Sequence, residues 1–212
     1  MPSDETIVYC AGPYWTPEEM QTLTELSRLL EHHGYGTYLP QRDGIEDLVW
    51  KQAYPPPSTL EDTLLAKAVL ALEVYQIVEH CQALVFTMNG RVPDEGGVFK
   101  TALAYATGKP LVIYKNDNRS AFHGHDNTMI IGLTPAFATI NRLSKLPTEL
   151  AKALAAAPGP CADLAHLRPF LDLGRQLWNL AREHPGAGAE SLFERILPLR
   201  EALAGIPFRW TP

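Results

Sequence analysis

Cysteine is scarce in this chain: three in 212 residues, Cys10, Cys81 and Cys161. An odd number of widely spaced thiols gives neither a disulfide framework nor a zinc-ligand pair, and it fits a reducing compartment. Basic charge is scarce too. Eighteen Lys and Arg stand against 24 Asp and Glu, for a formal net charge of −6. That balance argues against a nucleic-acid polymer as partner, which would ask for a basic stripe. No apolar run reaches the ~18 residues that suggest a membrane span. The opening Met-Pro-Ser-Asp-Glu-Thr lacks the basic and apolar regions of a signal peptide, so a cytoplasmic location is expected. No HExxH and no cysteine pair at ligand spacing occurs, so no metal is expected. No GxGxxG or GxxxxGK[ST] loop occurs either, which counts against a dinucleotide-binding or P-loop enzyme.

What is present is an apolar content of 46%, enough for one sizeable core with an appendage. Thr6 to Cys10 reads as a first strand. Thr16-Pro17-Glu18-Glu19 reads as a helix start, with Thr16 as N-cap and Glu19 completing a capping box. Met20, Leu23, Leu26, Leu29 and Leu30 follow at helical spacing, and Gly34 stops the helix. Tyr35 to Leu39 reads as a second strand and Pro40 to Ser58 as a long irregular loop. Leu60 to Cys81 has a helical pattern. Ala83 to Met88 and Leu111 to Tyr114 are apolar runs suited to buried parallel strands, with a candidate helix at Gly97–Thr107 between them. A shorter strand is expected over Phe137 to Ile140. This alternation indicates a doubly wound α/β domain with a mostly parallel sheet, whose ligand site lies beyond the carboxyl ends of the strands. Residues 147–212 are Ala- and Leu-rich, with helical stretches near Leu164–Arg182 and Glu190–Ala204. They read as a helical C-terminal extension to an α/β domain over residues 1–146.

The polar candidates cluster in the loops after the first, third and fourth strands. Asp94, ahead of Gly96-Gly97, reads first as a helix cap and second as a proton acceptor or a partner for a base edge. Arg119, His123 and His125 lie in a loop that suits a phosphate or simply faces solvent. His32, His33 and His80 sit near helix ends, where a positive side chain complements the dipole.

Several segments, in order over about residues 6 to 135, resemble nucleoside 2-deoxyribosyltransferases. They are Tyr9-Cys10-Ala11-Gly12-Pro13-Tyr14, Leu39-Pro40-Gln41-Arg42-Asp43, Asn89 to Gly97 with Gly108-Lys109-Pro110, Tyr114 to Arg119, and Asp126-Asn127-Thr128-Met129. The resemblance implies a flavodoxin-like, five-stranded, mostly parallel sheet with flanking helices. It also implies a pocket for a nucleoside or nucleotide, no cofactor, and a homo-oligomer. Carried over residue by residue, it places Asp94 and position 100 at the chemistry. Gly12, Pro13, Tyr14, Asp43, Gly96 and Asn127 then fall around the substrate.

In that family a glutamate six residues after the aspartate attacks the anomeric carbon of the sugar, and a second base or water resolves the glycosyl-enzyme. Here that position is Lys100. A protonated ammonium repels the positive charge that develops on the sugar. The expectations are therefore family-type transfer or hydrolysis through other groups, with Glu95 or Glu73 as substitute carboxylates, or a catalytically silent protein that binds a nucleoside or nucleotide as a sensor or interaction partner.

Overall fold

The computed structural model describes residues 6–45, 60–120, 122–134, 137–157, 168–183, 196–199 and 201. The chain divides into two compact units: residues 1–43 with 77–163, and residues 44–76 with 164–212.

The first unit is built on a parallel sheet. Strand β1 (Ile7–Ala11) leads into helix α1 (Pro17–His32). The predicted capping box is present. Thr16 Oγ1 accepts from Glu19 N at 3.3 Å, and the Glu19 carboxylate accepts from Thr16 N at 3.0 Å, satisfying first-turn donors that would otherwise need water. Strand β2 (Gly36–Tyr38) follows. The start of the expected irregular loop is instead one helical turn, α2 (Pro40–Asp43), in which Arg42 N and Asp43 N both donate to Leu39 O at 2.8 Å. The rest of that loop, with Trp50 and the Pro55–Pro57 run, lies outside the described residues.

The sheet order is β2-β1-β3-β4, with β3 at Ala83–Thr87 and β4 at Leu111–Tyr114. Every pair is parallel, and Tyr9 lies opposite Tyr38 on one side and Leu84 on the other. All five residues of β3 and all four of β4 are buried, as continuous apolar runs in a parallel sheet require. Val8, Cys10, Val85 and Val112 form one apolar layer with Leu23, Leu26 and Leu30 of α1. Leu146 and Leu150 of a later helix, Leu146–Ala155, join the same layer. Cys10 is fully buried there, and burial pushes its thiol up, so it stays protonated.

The expected fifth strand over Phe137–Ile140 is reduced, among the described residues, to a single parallel bridge between Ile140 and Tyr114. Ile140 N donates to Ile113 O and Lys115 N to Ile140 O, both at 2.8 Å. The cause is local. Thr134 Oγ1 accepts from Ala138 N at 3.1 Å and lies 3.0 Å from Ala138 O, while Phe137 takes a φ of 49°. One hydroxyl thus engages the Ala138 backbone groups that an extended ladder would use.

The second unit pairs two helices. Helix α3 (Leu60–Tyr75) runs on into a π turn at Gln76–His80, so the predicted helix over 60–81 carries a register change near its end. The partner is the C-terminal helix Arg168–Glu183. A Cβ at Gly174 would fall 2.2 Å from Ala71 O and 2.4 Å from Tyr75 Cβ, so the two backbones meet there. Leu64, Leu65, Ala68 and Leu72 close a core with Leu173 and Leu177. Of the stretch expected at Glu190–Ala204, the structure describes a short 3₁₀ turn at Leu197–Leu199.

Helix α4 (Glu95–Ala106) returns to the first unit and lies on β3. A Cβ at Gly97 would sit 2.3 Å from Cε2 of the fully buried Phe86. Gly97→Ala is therefore expected to lower stability by about 1–2 kcal/mol in denaturant titration, the overpacking cost exceeding what alanine gains in a helix. In a double-mutant cycle its effect should be non-additive with Phe86→Leu. An additive cycle would show that the contact is not the cause.

Candidate functional site

The chain reverses direction across the sheet between β1 and β3. β1 connects outward to β2, and β3 connects outward to β4 on the other side. The loops leaving the carboxyl ends of β1 and β3 therefore part at that point and leave a crevice between them. Gly12 sets how closely the two strand ends approach. Its φ is 156°, and a Cβ there would lie 1.8 Å from Thr87 Oγ1. No side chain fits.

A cleft of about 560 Å³ opens beyond these strand ends. Pro13 and Trp15 line it from the β1 loop, and Asn89, Gly90, Val92 and Pro93 from the β3 loop. Thr16, Glu18, Glu19 and Thr22 of α1 and Asp94 and Glu95 of α4 complete the walls, with Arg119 reaching in from the loop after β4. Two helix N-termini thus converge on one cleft, α1 closed by the Thr16–Glu19 capping box and α4 capped by Asp94. Asp94 Oδ2 accepts from Gly97 N at 2.6 Å. Glu19 accepts from Trp15 N and Thr16 N, each at 3.0 Å. Asp94 therefore performs the capping task while lying in the cleft wall.

The loop after β4 is fastened to the loop after β3 by two crossed bonds. Asn116 N donates to Asn89 Oδ1 at 2.9 Å, and Gly90 N donates to Asp117 Oδ2 at 2.8 Å. Asp117 also takes Arg119: the guanidinium Nη2 donates at 2.7 Å and the backbone N at 3.0 Å. Burial would raise the Asp117 carboxyl, but the bonds from Gly90 and Arg119 outweigh it and hold the group below the usual carboxylate range. Beneath the loop, Lys115 is buried, and its Nζ donates to Arg119 O at 2.7 Å and to the Asp126 carboxylate at 2.5 Å.

The remaining candidates lie outside that lining. Tyr14 stacks on Trp15 with ring centroids 5.1 Å apart. Asp43 accepts from Leu39 N at 2.8 Å and pairs with Arg42 at 2.8 Å. The bond to Asp43 is the main reason the Arg42 pKa is raised. Asn127 caps a short helix, Thr128–Ile131, through Met129 N. Gly96 stands beside the Asp94 carboxylate, where a Cβ would meet Oδ2 at 3.4 Å. Lys100 is half-buried on α4, with Nζ 5.6 Å from the centroid of the fully buried Tyr9 ring. That is within the range of a cation–π contact. His123 and His125 belong to a tight turn, in which Ser120 Oγ donates to His125 O and His123 adopts a φ of 53°. Among the described residues no group of three or more His, Cys, Asp or Glu could hold a metal ion, and no helix is long and apolar enough to cross a membrane.

The model of the nucleoside 2-deoxyribosyltransferase family matches residues 8–134, more than half of the chain. The chain belongs to that family. Among solved structures it is similar to a conserved protein from Enterococcus faecalis V583, at 22% identity and a TM-score of 0.52, over 70% of this chain and 98% of that one. It is also similar to a 2-deoxyribosyltransferase from Bacillus psychrosaccharolyticus, at 15% identity and a TM-score of 0.49, over 74% and 100% of the two chains. A 2-deoxyribosyltransferase from Leishmania mexicana follows at 14% identity and a TM-score of 0.42, over 72% and 99%. No curated protein matches the chain significantly.

Asn89, Lys115 and Asp117 fall in segments that resemble the deoxyribosyltransferase family, but their pairing across two loops is not written in either segment. The available signal was an Asn or Asp just past each of two buried strands, where an Asx side chain takes a nearby backbone N–H. Lys115→Met should remove the buried cation and leave Asp126 and Arg119 O without it, at a cost of about 1–3 kcal/mol. Hydrogen exchange should quicken across residues 115–127 while β1 and β3 stay protected. Equal exchange in the two proteins would show that Lys115 does not fasten this loop.

Proposed function

We propose that the chain binds a nucleoside or nucleotide in the cleft at the β1 and β3 ends, and that base transfer is shut off at Lys100. Family membership and the parallel fold support the ligand class. One observation supports the loss of chemistry: the Lys100 ammonium lies against the Tyr9 ring on the helix that Asp94 opens. Lys100 lies six positions after Asp94, a rise of about 9 Å along the axis. A carboxylate at that position would stabilise an oxocarbenium-like centre by charge and could form and release a glycosyl ester. The electron-rich ring face favours the protonated form of a lysine over the neutral amine. A protonated lysine has no lone pair for attack and repels the cationic centre.

A second reading has its own observation. Glu95 lines the cleft, is exposed there and sits next to Asp94 at the start of α4, so it is a carboxylate available as a displaced nucleophile.

The test is nucleobase release from deoxynucleosides and deoxynucleotides with an acceptor base present, read by chromatography, beside binding by calorimetry. Wild type should bind and release no base, and Lys100→Glu should release it. Turnover by wild type would overturn the silent reading, and its loss in Glu95→Gln would then assign the step to Glu95. Binding by neither protein would remove the ligand class itself.

A further inference from the structure

Asp117 stands behind the cleft wall and holds two residues that form it. Its Oδ2 accepts from Gly90 N at 2.8 Å and from Arg119 Nη2 at 2.7 Å. Gly90 and Arg119 both line the cleft. Gly90 has a φ of 108°, so the bend that brings its N–H to Asp117 needs glycine.

The charge balance of the wall follows from the same pairing. Among the described residues, Glu18, Glu19, Asp94 and Glu95 line the cleft, and Arg119 is the cation in that lining. Asp117 offsets that cation directly. A phosphate entering the cleft therefore meets carboxylates and an arginine already engaged, whereas a neutral sugar and base meet hydrogen-bonding groups without net repulsion.

We propose that Asp117 is a positioning and specificity-determining residue, which orders the cleft rim and makes the cleft select unphosphorylated nucleosides over nucleotides. This rests on the nucleoside-binding reading above and narrows it. Asp117→Asn keeps an oxygen for Gly90 N while removing the charge, so it separates selection from loop order. Calorimetry with one deoxynucleoside and its 5′-monophosphate gives the affinity ratio directly.

Wild type should favour the nucleoside by about tenfold or more, and Asp117→Asn should shrink that ratio by about fivefold. Raising the salt concentration should shrink the wild-type ratio too, because repulsion at an open cleft is screened. A purely structural role would change both affinities together and leave the ratio where it was. If Asp117→Asn does not fold, Arg119→Gln carries the test, because it leaves the Asp117 charge uncompensated and should widen the ratio. A wild type that binds nucleoside and monophosphate equally, or a ratio that neither variant moves, overturns this inference and leaves the nucleoside reading standing. A wild type that binds neither ligand overturns the reading, and the inference falls with it.

Discussion

The approach of β1 to β3 at Gly12 and Thr87 is the constraint on which the first unit's site depends. A Cβ at residue 12 would occupy the Thr87 hydroxyl, so only glycine lets the chain turn out of β1 without pushing the strand ends apart. Everything that lines the cleft is placed relative to those two ends. α1 starts a few residues after one, and α4 starts after the other. Gly97 then seats α4 on Phe86. Two positions without side chains thus bring two helix N-termini to the same crevice, which is where a parallel sheet with this strand order offers a binding site.

Convergent helix N-termini carry positive partial charge and unpaired N–H groups, which would suit an anion. In this chain the protein supplies the anions itself. Asp94 takes the first-turn Gly97 N, Glu19 takes Trp15 N and Thr16 N just ahead of α1, and Asp117 takes Gly90 N and Arg119. These donors are satisfied inside the protein; Glu19 and Asp94 line the cleft with Glu18 and Glu95, while Asp117 stands behind the wall. Capping and the charge of the cleft wall are therefore one arrangement. Glu19 and Asp94, whose oxygen atoms take backbone N–H groups at the helix starts, also line the cleft.

What the sequence made legible was local. The Thr16 and Glu19 capping box, the buried runs of β3 and β4 and the cap at Asp94 each follow from a few adjacent residues, and each is present. What stayed hidden was non-local or depended on competition. Periodicity shows that Leu64, Ala68 and Leu72 share a face, but not that Gly174, about 100 residues on, is the contact that lets the C-terminal helix approach it. The bonds from Asn116 to Asn89 and from Gly90 to Asp117 join two loops 27 residues apart. The strand expected at Phe137–Ile140 has the right residues, and a hydroxyl at Thr134 diverts its backbone. The π turn at Gln76–His80 leaves no mark in an apolar pattern. It nevertheless shifts helical register ahead of β3.

Family membership and family chemistry rest on different residues. Gly12 and Gly97 are needed for backbone approach, and Asp94 for a cap. Each would cost stability if changed, so the architecture keeps them whether or not a reaction occurs. Position 100 is a half-buried site on the side of α4 toward Tyr9, where Lys100 Nζ lies 5.6 Å from the ring centroid. On the proposed reading, a glutamate at that place would act through its charge in the transition state, a contribution absent from folding. Lysine there would reverse that charge and leave the packing of Gly97 on Phe86 untouched. The sheet, the cleft and the family signature therefore do not by themselves require the family's reaction.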